Sequence, residues 1–366
     1  MSAPDGRLRV MLLFGGRSAE HDISRATAVG VASALDPARY EVVPVAITTD
    51  GAWLLAGEAK ALLEGSRDAM PGAFEVEGAP LNELGALVAT PGSGELGIDV
   101  VFPLLHGPYG EDGTVQGLLE LADLPYVGSG VLGSAVGMDK VMMKRAFYAC
   151  GIPQAHYLFT RDGMDRKLFC DTVEQSIGFP CFVKPANMGS SIGISKADDR
   201  AALENAVEVA FGFDEWVLAE EAVVGREIEV AVLGDAPAQT SLPGEIASGS
   251  GFLNYEAKYE NDALQLIAPA TLSDEAADTV RALAIKAFEA CRCDAMARVD
   301  FFYEEGGRGF LVNELNTIPG FTSRSMYPRL WEVSGLAYPD LLDRLLQLAI
   351  ERHGRRTMRA GRQRSN

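Results

Sequence analysis

Two segments, Ala297–Tyr303 and Gly309–Asn316, read as paired strands around the turn Glu304–Gly309. With that turn centred near Gly307, Asp300 falls opposite Glu314 and Arg298 opposite Asn316, and opposed residues of an antiparallel pair share one face. Two carboxylates, a carboxamide and a guanidinium then converge. Oxygen donors this few, completed by substrate phosphates, suit Mg²⁺. A solvent-facing polar pair in which Arg298 neutralises the acids satisfies the same spacing, and both readings stay open at this level. A second segment, Lys184-Pro185-Ala186-Asn187-Met188-Gly189-Ser190-Ser191-Ile192-Gly193, ends a strand on a lysine and enters a loop of small, hydroxyl-bearing residues. Such a loop offers backbone N–H groups to phosphate oxygens and the lysine a mobile charge, although surface turns share the composition. It is not a GxxxxGK[ST] loop, and Gly15-Gly16-Arg17-Ser18 does not complete the GxGxxG of a dinucleotide site. A third segment, His106-Gly107-Pro108-Tyr109-Gly110-Glu111-Asp112-Gly113, places a histidine after a buried strand in a glycine-rich loop that opens a helix. Loops at strand carboxyl ends are where open α/β sheets bind ligands; a structural loop histidine is the alternative.

The elements that must position these loops follow from hydrophobic periodicity. The run Leu8–Phe14, a helix over Ser18–Leu35 and a strand over Glu41–Ile47 make a βαβ opening. Asp99–Leu104 reads as another buried strand, Thr114–Ala122 as a helix and Pro125–Gly130 as a boundary turn, whereas Gly51–Gly97 has weak periodicity and is assigned no function. A helical pattern over Gly130–Cys150 carries Lys140, and strands His156–Thr160, Cys181–Lys184 and Trp216–Glu220 alternate with helices near Arg166–Ile177 and Arg200–Phe211. Arg226–Leu233 alternates with period two, Asp274–Cys291 is an amphipathic helix, and a last helix covers Tyr338–Arg352. The expected units are residues 1–128, 129–220 and 221–353. A basic, frayed tail is expected over 354–366, its Arg355, Arg356, Arg359, Arg362 and Arg364 solvated rather than forming an anion-binding arm.

A chain of 366 residues is long enough for two or three domains, and 48% hydrophobic with 23% charged residues excludes disordered and fibrous classes. The net charge of −19 repels nucleic acid and anionic membranes, which points to a small-molecule substrate. Five scattered cysteines read as reduced thiols; Cys291 and Cys293 lack the second pair a zinc site needs. No targeting segment or membrane span is evident, so a cytoplasmic location is expected.

Together these features resemble the D-alanine–D-alanine ligase family of the ATP-grasp superfamily, over about Leu8 to Arg352. The motifs recur in order: Phe14-Gly15-Gly16 with Ser18-Ala19-Glu20-His21, the His106–Gly113 loop, Met138-Asp139-Lys140, and Val183-Lys184-Pro185 with Gly189-Ser190-Ser191-Ile192-Gly193. Then follow Gly225-Arg226-Glu227-Ile228-Glu229-Val230, Tyr255-Glu256-Ala257-Lys258-Tyr259, Arg298-Val299-Asp300, and Asn313-Glu314-Leu315-Asn316-Thr317-Ile318-Pro319-Gly320.

The resemblance implies an α/β, three-domain ATP-grasp fold with an N-terminal Rossmann-like parallel-sheet domain and ATP between the central and C-terminal domains. It implies phosphorylation of one D-alanine carboxylate by ATP and attack of a second D-alanine's amine, giving D-alanyl-D-alanine for peptidoglycan. By the same match, Lys140 and Lys184 hold phosphates, the loop with Ser190 and Ser191 closes over the γ-phosphate, and Asp300, Glu314 and Asn316 hold two Mg²⁺ ions, with Mn²⁺ a possible replacement. Adenine lies against Glu220, Glu221 and Val223, with Glu227 on the ribose. Glu221 stands where some members carry lysine, a change that backbone contacts survive, and Asp22 where glutamate is common; neither departure threatens the chemistry. Glu20 pairs with the first D-alanine's ammonium in a triad with Ser190 and Tyr259, and His106 sits beside it. Lys258, Ser325 and the Met326 backbone take the second substrate's carboxylate, while Arg298 and the Gly320 N–H stabilise the oxyanion. Tyr259 favours the dipeptide over the D-lactate depsipeptide; ligation to D-lactate or D-serine is the alternative. A catalytically dead nucleotide-binding paralogue is disfavoured by the retained lysines and metal ligands, and a dehydrogenase by the missing third glycine. A homodimer is expected from the family alone.

Overall fold

The computed structural model describes residues 6–55, 79–80, 97–248, 264–322 and 325–359, and within them three sheets. The first is built on β1 (Leu8–Gly15), followed by α1 (His21–Ala34), β2 (Tyr40–Ile47), β3 (Trp53–Leu55), β4 (Ala79–Pro80) and β5 (Val100–Pro103). β1 runs parallel to both β2 and β5, and β3 and β4 extend the β2 edge in antiparallel fashion. A strand with parallel neighbours on both sides and layers on both faces must be apolar throughout, which is why Val10 to Phe14 are all buried. The helix expected from Ser18 begins three residues later. Gly16 to Glu20 form a loop instead, with the His21 N–H on the Ser18 carbonyl at 3.2 Å.

After α2 (Thr114–Leu121), the single helical pattern expected over Gly130–Cys150 is two helices, α3 (Val131–Met138) and α4 (Lys140–Ala149). Asp139 interrupts them with extended backbone, φ −78° and ψ 104°, and its carboxylate accepts the Met142 N–H at 2.8 Å. That N-cap puts Lys140 at the start of a helix, its own N–H bonded to the Ala186 carbonyl at 3.0 Å.

The second sheet has β6 (Tyr157–Arg161), α5 (Arg166–Ser176), β7 (Cys181–Pro185), β8 (Ser195–Ala197), α6 (Arg200–Phe211) and β9 (Trp216–Glu221), in the order β6-β9-β7-β8, all antiparallel. Its strands alternate cleanly. Cys181, Val183, Val217 and Ala219 pack under the helices, and Phe182, Lys184 and Glu220 point the other way, into a cleft.

The third sheet, in the order β13-β12-β10-β14-β15, comprises β10 (Arg226–Leu233), β11 (Gln239–Thr240, paired to β10), β12 (Gly244–Ser248), β13 (Leu264–Ile267), β14 (Met296–Glu304) and β15 (Gly309–Asn316), with α7 (Asp274–Ala290) between β13 and β14. Ile228, Val230, Val232, Val299 and Phe301 meet Val280, Ala284 and Phe288 of α7. Glu227, Glu229, Arg298 and Asp300 are left on the opposite face. α8 (Met326–Val333) and α9 (Tyr338–Thr357) close the chain. They do not form a separate layer: Leu341, Leu342, Leu345 and Tyr327 share one core with Val10, Leu12 and Phe102 of the first sheet.

The tail expectation needs correcting. α9 continues to Thr357, and Arg355 and Arg356 are ion-paired with Asp235 and Glu120. Carboxylates presented by two other parts of the chain hold the last helical turn in place. Residues 360–366, with Arg362 and Arg364, lie outside the described residues.

Candidate active site

The cleft between the second and third sheets encloses about 550 Å³ and is lined by Lys140, Lys184, Ser190, Ser191, Glu220, Glu221, Val223, Glu227, Glu314 and Asn316. Thus most of the residues assigned to ATP by resemblance share one wall system. β7 supplies Lys184 and β9 supplies Glu220, diagonal neighbours on one face of adjacent strands, and the Lys184 ammonium meets Glu220 Oε2 at 2.7 Å and Asn313 Oδ1 at 3.5 Å. Glu220 is 2% exposed, and its other oxygen is bonded to Lys144, one turn along α4 from Lys140. Burial alone would raise the Glu220 carboxyl, but the two ammonium groups override that and hold it at about 2. Burial works against the charge of Lys184 as well, and Glu220 outweighs it, leaving this lysine above its ordinary value. Burial pushes Lys140 down; its ammonium reaches the Met188 carbonyl at 2.6 Å, on the loop after β7. Glu221 is turned outward, accepting the His156 N–H at 2.7 Å and pairing with Arg308 at 2.6 Å.

The β14–β15 ladder opposes Asp300 to Glu314 and Arg298 to Asn316, as expected. The reason differs from a uniform hairpin. Outside Asp300 the register slips, with Phe301 facing Val312, so Asn313 is an extra residue on β15. This bulge turns both Asn313 and Glu314 toward the cleft. Arg298 forks onto Asp300 with two bonds of 2.7 Å and lies 3.2 Å from Glu229, and the Asn316 amide donates to Asp300 Oδ2 at 3.0 Å. Asp300, Glu314 and Asn316 offer only oxygen donors, which suits a hard divalent cation. No group of three or more His, Cys, Asp or Glu side chains is preassembled for a metal among the described residues, so phosphate oxygens would complete the shell.

At one end of the cleft, loops meet. The Ser190 hydroxyl donates to Glu20 Oε1, and Ser190 and Ser191 both sit in left-handed backbone, φ +49° and +59°. Two consecutive non-glycine residues there store local strain. Gly107 approaches so closely that a Cβ on it would lie 2.9 Å from Glu20 Oε2. His106 is buried, and because a carbonyl only accepts, its Nδ1 donates to the Ile318 oxygen at 3.1 Å. Burial pushes its pKa down against the pull of Glu20, so the ring is neutral. Its Nε2 has no hydrogen-bond partner among the described residues. Gly320 lies against Ser325, whose hydroxyl accepts the Thr322 N–H at 3.1 Å. Met326 opens α8. Lys258 and Tyr259 fall outside the described residues.

Three residues join the site without a clear sequence signal. Lys144 could have been found by its four-residue spacing from Lys140 on a helix. Glu229 shares a face with Glu227 by period two. Glu111, in the same glycine-rich loop as His106, is buried, lines the cleft and accepts the Gly107 N–H at 2.8 Å.

Comparison with known proteins agrees with this geometry. Residues 9–129 match the family model described as D-ala D-ala ligase N-terminus and residues 146–347 the one described as D-ala D-ala ligase C-terminus. A D-alanine–D-alanine ligase of Geobacillus kaustophilus is 46% identical over 95% of this chain and 96% of that protein. The solved structure of the D-alanine–D-alanine ligase from Coxiella burnetii superposes with a TM-score of 0.80 at 35% identity over 96% of both chains. The VanG D-Ala:D-Ser ligase from Enterococcus faecalis does so with 0.78 at 31% identity, over 94% of this chain and 99% of that one. Since the two family models together match most of the chain and the relatives align over nearly all of it, the chain belongs to the D-alanine–D-alanine ligase family, with its ATP-grasp fold.

Proposed function

We infer that the chain joins two D-alanines at the expense of ATP, releasing ADP and phosphate. The observation that carries this reading is the meeting, in one cleft, of a lysine-lined pocket with the Glu20–Ser190 pair at its end. ATP brings roughly four negative charges into a protein of net charge −19. Lys140 and Lys184 face that load. The ribose lies within reach of Glu227, and the adenine rests against the main chain of Glu221 to Val223, because the Glu220 side chain already holds two lysines. Asp300, Glu314 and Asn316 would hold Mg²⁺, whose charge would offset that of the phosphates.

Glu20 anchors the ammonium of the first D-alanine and so aims its carboxylate at the γ-phosphorus; the carboxylate oxygen forms the new P–O bond as ADP leaves. The free amine of the second D-alanine then attacks the acyl carbon. Charge collects on the former carbonyl oxygen, where Arg298 and the Gly320 N–H receive it. Collapse breaks the C–O bond to phosphate, which departs with the proton lost by the nitrogen. Ser325 and the start of α8 suit the second carboxylate; by resemblance to the family, Lys258 would join them and Tyr259 would join the Glu20–Ser190 pair. A cytoplasmic homodimer completes the reading; the five cysteines are free thiols, and no helix among the described residues is long and apolar enough to cross a membrane.

The test is phosphate release from Mg-ATP with D-alanine alone and with D-serine or D-lactate added, with products weighed by mass spectrometry. D-alanyl-D-alanine as the main product is expected. A dominant mixed dipeptide or depsipeptide would move the chain to the alternative specificity, and no product with any acceptor would overturn the reading.

A further inference from the structure

A lysine that faces phosphates is useful in proportion to the charge it can still offer. Lys184 reaches the cleft with its ammonium on Glu220 Oε2 at 2.7 Å. One lysine and one carboxylate alone make a neutral pair, whose opposite charges largely cancel at a distance. A third member changes that balance. Lys144, 1% exposed, bonds the other oxygen, Glu220 Oε1, so the trio of Lys144, Glu220 and Lys184 carries one net positive charge. Lys144 is not among the described residues that line the cleft, whereas Lys184 and Glu220 both are. One ammonium thus stands behind the cleft wall and the other on it.

We propose that Lys144 is a positioning residue for ATP: from behind the wall it occupies one oxygen of Glu220, so that Lys184 meets the phosphates with surplus positive charge rather than as half of a neutral pair. Its own place is well defined. Tyr157 stands opposite Glu220 across β6 and β9, and its ring faces the Lys144 ammonium at 5.4 Å from nitrogen to centroid. The Lys144 carbonyl accepts the Gln154 amide at 2.9 Å, which fixes the turn of α4 that carries it. A buried ammonium costs more free energy than a well-packed apolar side chain of similar volume. α4 already packs through Met143 and Phe147, so the helix itself does not require a charge at this point.

The inference rests on the proposed reading of the cleft as an ATP site, and the experiment separates the two. Lys144→Gln removes the charge but keeps a donor for Glu220. The double variant, Lys144→Gln with Glu220→Gln, returns the trio to its original net charge, now carried by Lys184 alone. The Kd for Mg-ATP is measured by titration calorimetry, alongside dipeptide formation, KM for D-alanine and a thermal melt of each variant. The single variant is expected to bind Mg-ATP about 10–100-fold more weakly, with KM for D-alanine within about twofold, as for one partly screened charge lost near the phosphates. The double variant is expected to return to within about fivefold of wild type, because the net charge is restored. A merely structural role gives the reverse order, since a second lesion in the same buried trio adds to the first. Wild-type affinity in the single variant, or a double variant that binds no better than the single, would overturn the role of Lys144 alone. Should the single variant not fold, the double still decides, and binding more than about fivefold weaker than wild type would overturn the role. A wild type that binds no ATP would overturn both readings. One that binds ATP yet forms no dipeptide would overturn the ligase reading and leave this one standing.

Discussion

The two ends of the cleft are built on opposite principles. At the phosphate end, Lys140, Lys144, Lys184 and Glu220 stand on a helix and two paired strands, and Lys144 and Lys184 are already held by Glu220 before any ligand arrives. At the substrate end, Glu20, Ser190, His106 and Glu111 stand on three loops, Ser190 and the next residue are in left-handed backbone, and a histidine nitrogen has no partner among the described residues. Preformed cations suit a ligand whose charge is the same in every turnover. Loops held by mutual contacts suit one that must enter, react and leave.

The largest test of this contrast is Lys184→Met. It removes a charge from the phosphates and leaves Glu220 half paired, so turnover is expected to drop roughly 10³-fold. Urea denaturation is expected to show a loss of about 3–5 kcal/mol, as for a buried pair deprived of one partner. A variant with full stability would mean the lysine is not part of a fixed frame. Next, Glu20→Gln is expected to raise KM for D-alanine by about 10–100-fold through loss of a charged contact while KM for ATP stays within about twofold; equal changes in both would erase the division between the ends.

A pH series sharpens the phosphate end. The folded-state pKa of Glu220, about 2, lies below its ordinary 4.5, so its ionised form contributes stability that is present above about 4.5 and lost as pH falls toward 2. The stability penalty of Glu220→Gln is therefore expected to be constant above pH 4.5 and to shrink below it, read from denaturation midpoints. The smallest effect is Gly193→Ala. Gly193 has φ +72°, and a Cβ there would lie 2.7 Å from the Phe213 ring, so a loss of about 1–2 kcal/mol is expected from the backbone term, with ATP binding weakened more than D-alanine binding.

Much of this was legible in the sequence because the signals were local. The strands expected over Cys181–Lys184 and Trp216–Glu220 are found to within one residue, and the expected turn position predicts which carboxylates oppose. The pairing of Asp300 with Glu314 came out as expected although the hairpin is not regular: a slipped outer ladder and the extra Asn313 together restore the inner register. Nothing in the composition of Phe310 to Asn316 announces a bulge. The break between α3 and α4 was hidden for a related reason, since Asp139 interrupts an apolar period without changing it. β12 and β13 were missed because short strands separated by a long connection carry little pattern. Spacing places Lys144 beside Lys140 and Glu229 beside Glu227, but their partners, Glu220 and Arg298, are distant in sequence and no spacing rule names them.

The core shared by β1, β5 and α9 sets a timetable for synthesis. Val10, Leu12 and Phe102 emerge from the ribosome early, yet Leu341, Leu342 and Leu345, which cover them, come more than two hundred residues later. At about 5–20 residues per second the first sheet waits on the order of tens of seconds with one face bare. A stop codon that deletes α9 is thus expected to leave an aggregation-prone N-terminal sheet rather than a trimmed enzyme.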